Sequence, residues 1–126
     1  MAQKYIVDDI VMYKNKIHTI INTLRLNNYE LSYVKLSVNQ AELSGVPLTH
    51  EILEKNGWYG TTHSKQSDDN TKILYKTFKR KGYPTIKVSQ GLKITCELSP
   101  FIVKLESVSD LQHLLFGLGI NHGVEV

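Results

Sequence analysis

The 126-residue chain carries 15 basic and 12 acidic residues, for a formal net charge of +3, and 41% of it is hydrophobic. That length fits one domain able to bury its own core, and the hydrophobic content argues against disorder. No apolar run approaches the roughly 18 residues of a membrane helix, residues 1–9 lack an apolar leader, and the lone Cys96 excludes an intrachain disulfide, so a cytoplasmic protein without membrane contact is expected.

The first third reads as β structure. Asp9-Ile10-Val11-Met12-Tyr13 and Ile17-His18-Thr19-Ile20-Ile21 flank the polar turn Lys14-Asn15-Lys16, the pattern of a hairpin. Leu26-Asn27-Asn28 is a second turn. It leads into Tyr29–Leu36, with Tyr29, Leu31 and Tyr33 on one face and Val34 and Leu36 on the other. Three short strands with tight turns suggest a small, strongly bent sheet or SH3-like barrel.

A short helix follows at 49–56. Thr49 is placed to cap it, Glu51 and Lys55 complement its two ends, and Gly57 suits the left-handed position after the last turn. Ile52, Leu53 and Trp58 are expected to pin it to a core. The segment from Gly60 to Asn70 contains no apolar residue and reads as a solvated loop, placed at 59–71 between a β-rich half (1–58) and a second half (72–126) of a single domain.

The second half reads as a β-meander: 72–79, 84–88, 92–98 and 101–105, with Lys81-Gly82, Gln90-Gly91 and Ser99-Pro100 as turns. Cys96 alternates with Ile94 and Leu98 and is expected to be a small buried side chain on a strand. A second helix at 109–118 is signalled by Ser109 with Gln112 as a capping box and by Leu111, Leu114, Leu115 and Leu118 as an apolar stripe. Val124 and Val126 are candidates to dock the tail. The expected fold class is therefore α+β, mostly antiparallel β, with two short capped helices.

No catalytic or metal-binding constellation emerges from spacing. His50-Glu51-Ile52-Leu53-Glu54 has glutamate where a zinc protease needs its second histidine, and two ligands do not make a site. His113 lies off the leucine stripe, where it is a candidate ligand contact or acid–base group. The most suggestive stretch is Lys72–Tyr83. Lys72, Lys76, Lys79, Arg80 and Lys81 suit phosphates, and Tyr75 and Phe78 suit stacking on bases. The competing expectation is an edge strand guarded against aggregation by lysines.

Pro47–Trp58 and the ending Val108–Ile120 together cover about a fifth of the chain. In both segments the chain resembles small proteins of phages and prophages of Bacteroides-type gut bacteria, a group without an established activity. The resemblance implies a phage origin and transfers no site residue. It favours a non-enzymatic accessory protein, with a homo-oligomer as one expected state, that binds a host macromolecule (a protein or nucleic acid) or a signalling ligand in host takeover or counter-defence. The alternatives are a nucleic-acid-binding module on 72–83 and an oligomeric sponge for an anionic nucleotide. No cofactor or metal is expected.

Overall fold

The computed structural model describes residues 3–66, 72–89, 93–98 and 101–126. It is mostly antiparallel β with two helices, so the α+β expectation holds at that level. The chain forms two compact units, Met1–Pro47 with Ser107–Gly123, and Leu48–Glu106 with Val124–Val126.

The first unit holds a five-stranded antiparallel sheet. Its strands are β1 (Ile10–Tyr13), β2 (Lys16–Thr23), β3 (Asn28–Leu31), β4 (Val38–Asn39) and β5 (Ser44–Gly45), in the order β4-β3-β2-β1-β5. Lys14 and Asn15, both at positive φ, make the two-residue turn between β1 and β2. Such primed turns match strand twist, and asparagine tolerates the left-handed region. Leu26 and Asn27, also at positive φ, lie in the longer connection between β2 and β3, where a 3-10 turn spans Arg25–Asn27. The strand expected over Tyr29–Leu36 stops at Leu31. Tyr33 takes φ +61° and is fully exposed, so it leaves the face it was expected to share with Tyr29 and Leu31. Tyr5, Val11, Ile20, Tyr29, Leu31 and Val38 form the core.

α2 (Val108–Gly117) packs on β1. Its cap is Ser107, not Ser109. The Ser107 hydroxyl accepts from the Asp110 N–H at 3.2 Å, and the Asp110 carboxylate accepts from the Ser107 N–H at 3.1 Å. Either serine satisfies the capping spacing, but Gln112 is committed elsewhere. Its side chain accepts from the Ile10 N–H at 2.9 Å and donates to the Asp8 carbonyl at 2.8 Å. The buried stripe is thus Val108, Leu111, Gln112 and Leu115, while Leu118 is exposed.

The second unit is a meander of β6 (Tyr59–Gln66), β7 (Lys72–Lys79), β8 (Ile86–Ser89), β9 (Ile94–Leu98) and β10 (Phe101–Lys104), in the order β10-β9-β8-β7-β6. The polar loop expected at 59–71 is a strand through Gln66. It pairs with β7 over eight residues, from Tyr59 opposite Lys79 to Gln66 opposite Lys72, and residues 67–71 lie outside the described residues. Partner-strand hydrogen bonds and neighbouring side chains set a strand's fate more than its own hydropathy does. The turns expected at Gln90-Gly91 and Ser99-Pro100 also lie outside the described residues.

Register fixes the faces of this sheet, because residues directly opposite share a side. One row runs Gly60–Phe78–Ile86–Cys96–Val103 and carries the core. Phe78, Ile86 and Cys96 are fully buried, and a Cβ on Gly60 would stand 2.8 Å from the Phe78 ring. Burial pushes the Cys96 thiol above its ordinary pKa, as suits an inert core thiol.

α1 (His50–Lys55) adds Leu53 to that core, with Thr49 accepting from the Ile52 N–H at 3.3 Å and Gly57 at φ +92° after the last turn. Trp58 is buried and donates to the Pro84 carbonyl at 3.3 Å. The tail docks through buried Val124, with Asn56 bonded to the backbone of Glu125; Val126 stays exposed.

Candidate functional site

The pleat divides the residues singled out in Lys72–Tyr83 between the two faces of the sheet. β7 lies between β6 and β8, so the expectation of a lysine-guarded edge fails. The pleat sends Phe78 into the core, which removes it as a stacking platform. Lys76 shares the core side, opposite Val88. Tyr75 and Lys79 take the other face. Lys81 sits in the turn after β7, and the Lys72 side chain lies outside what is described.

Arg80 is held by its own neighbours. Its guanidinium lies 3.8 Å from the Tyr83 ring centre and 5.0 Å from that of Trp58. These cation–π contacts, beside the Gly57 turn, give it a structural duty at the end of α1. His113 belongs to the other unit.

The open face of the second sheet is where polar chemistry collects. A cross-strand row runs Thr61–Thr77–Lys87–Thr95–Lys104, one residue from each strand. Next to it, His63 pairs with Tyr75, and Tyr59 with Lys79. The His63 and Tyr75 rings stack at 5.0 Å with 19° between planes, and the Lys87 ammonium stands 4.6 Å from the Tyr75 ring centre. His63 Nε2 meets the Thr77 hydroxyl at 2.8 Å, which fixes the imidazole in the stack. Tyr59 is 80% exposed.

A groove of about 390 Å³ on this face is lined by Thr77, Thr85, Lys87, Thr95, Glu97 and Ile102. The second unit also contains ten of the fifteen basic and seven of the twelve acidic residues, so the whole net charge of +3 falls within it. This arrangement can attract an anion, donate hydroxyl hydrogen bonds and present rings.

Tyr59, His63, Lys87 and Lys104 were not legible as site residues. The signal was the alternation Tyr59, Thr61, His63 at i, i+2 and i+4, which a strand would put on one face, within a segment whose polarity suggested a loop.

The first unit contains a different polar constellation. Asp9 is fully buried, and its Oδ2 accepts from the Ile6 N–H at 3.0 Å and meets His113 Nε2 at 2.5 Å. Its Oδ1 has no hydrogen-bond partner among the described residues. Burial pushes the carboxyl above the ordinary aspartate range, against the opposing hydrogen bonds from Ile6 and His113. With Gln112 bonded at Asp8 and Ile10 on either side, this pair fastens the chain before β1 to α2. His113 is thereby a positioned structural partner of Asp9, not a member of a basic cluster.

At His50–Glu54, His50 lies half-buried beside Phe78 while Glu54 is exposed. No group of three or more metal-ligating side chains occurs among the described residues. No helix there is long and apolar enough to cross a membrane. Compared with protein-family models, curated proteins and solved structures, the chain matches none.

Proposed function

We propose that the protein is a binding module, acting without catalysis, that holds a phosphate-bearing partner on the open face of its second sheet. The observation that carries this reading is the row Thr61–Thr77–Lys87–Thr95–Lys104 beside Tyr59, Tyr75 and Lys79, on the unit that holds the net charge. Lysines neutralise phosphates and release their counterions, and hydroxyls give adaptable hydrogen bonds.

Glu97 opposes an anion at the Ile102 side of the face. The partner is therefore expected nearer β6 to β8, over Lys79 and Lys87. The likeness to phage and prophage proteins supplies the proposed setting, host takeover or counter-defence in the cytoplasm of an infected cell.

The test is a binding titration across salt concentrations, with an oligonucleotide and a nucleotide panel as probes. The expected result is binding that weakens as salt rises, with a shallower dependence in Lys87→Ala and Lys79→Ala. Glu97→Gln should tighten it. Absence of binding to every probe at low salt would reject the reading.

A further inference from the structure

We infer that the partner is a single-stranded nucleic acid whose bases stack on two rings of β6, Tyr59 and His63. This rests on the phosphate-binding reading of the same face. The two residues are four apart on one side of a strand, about 13 Å along it. β6 is the last strand of its sheet, and Tyr75, which covers one face of the imidazole, stands on the inner neighbour β7. The other face of the half-buried His63 ring is thus turned away from Tyr75, with the ring fixed by Thr77.

Tyr59 is 80% exposed and makes no ring contact among the described residues. Lys79 is the register partner of Tyr59, and the Lys87 ammonium stands over Tyr75, the ring stacked on His63, so each ring has a lysine on the strands beside it. A sheet face that carries rings with lysines on the strands beside them matches the stacking and backbone attraction by which proteins hold unpaired strands. Paired bases keep their faces stacked within the duplex, and their edges are read by an element that enters a groove, which this face does not offer.

The experiment is fluorescence anisotropy with labelled oligo-dT, oligo-rU and a duplex, each about 15 nucleotides long, which exceeds the ~13 Å between the two rings several times over. The wild type is expected to bind both single strands more tightly than the duplex, since stacking does not depend on the sugar. Tyr59→Ala and His63→Ala should each weaken single-strand binding about fivefold to a hundredfold, the span of one lost base–aromatic stack. Both should leave the salt dependence unchanged, and Tyr59→Phe should keep the wild-type affinity.

Equal or tighter binding of the duplex would overturn the inference. So would unchanged binding in Tyr59→Ala and His63→Ala while Lys87→Ala weakens, a pattern that keeps the phosphate-binding reading. If the lysine variants also leave binding unchanged, both readings fail.

Discussion

Among the described residues, the buried polar side chains Asp9, Gln40, Ser109 and Gln112 all lie in the first unit, while the chain's net charge lies in the second. The first unit carries equal numbers of acidic and basic residues and turns polar groups inward. Tyr29 donates to the Gln40 side chain at 2.6 Å and accepts from the Tyr5 N–H at 3.3 Å, and Gln112 and Asp9 fasten the chain around β1. Satisfied buried hydrogen bonds of this kind specify one packing, because any slip leaves a polar group unpaired in low dielectric.

The second unit buries apolar side chains on one side of its sheet and keeps lysines, threonines and rings on the other. An antiparallel sheet can leave one face to solvent, and that freedom is what a binding surface requires. On the proposed function, the first unit's polar interior specifies structure and the second unit's exterior serves recognition.

The sharpest way to break this contrast is Phe78→Ala. As a core residue, Phe78 should cost about 3–5 kcal/mol on truncation, read as a lower urea midpoint. Near-normal stability with lost binding would instead return Phe78 to the ligand face. Next in size, Gln112→Ala leaves the Ile10 N–H and the Asp8 carbonyl without their partner and should cost about 2–4 kcal/mol in the same assay.

A third test uses pH. Because burial raises the Asp9 pKa in the folded chain, the native state holds that proton more tightly than the unfolded one. The stability Asp9 contributes is therefore full below its unfolded value and is lost as pH rises through the raised one. The wild type should gain on Asp9→Asn as pH falls from neutral toward 4, the reference region for aspartate. His113, His122 and Tyr5 are the titratable groups that act on it. A difference between the two proteins that is independent of pH would contradict the buried-carboxylate account. The smallest stability effect belongs to Lys87→Ala, within about 0.5 kcal/mol, because the residue is exposed on the open face.

Much of the fold was written locally. The Asn15 and Asn27 turns, the Thr49 cap, the Gly57 stop and the period-two run around Cys96 each carry their own chemistry, and each element stands where that chemistry puts it. What was hidden depends on partners distant in sequence. β6 is a strand because eight residues of β7 lie beside it, although its own composition resembles a loop. The start of α2 was ambiguous because Ser107 and Ser109 both fit a cap, and only the bonds from Gln112 to Asp8 and Ile10 decide between them.

The basic, aromatic strand was legible as a composition, but register divides it. Phe78 and Lys76 go to the core side, Tyr75 and Lys79 to the open face, and Arg80 onto Tyr83 and Trp58. Most of the open face comes from strands other than β7, so no single stretch of sequence announces it.

The proposed function locates recognition on the open face of the second sheet, nearest β6 to β8. The most direct test is an NMR titration of the assigned amides with a single-stranded oligonucleotide. The account predicts shifts concentrated at Tyr59, Thr61, His63, Tyr75, Thr77, Lys79 and Lys87, with β1–β5 unmoved. Shifts concentrated on β1–β5 and α2, with the open face silent, would contradict it.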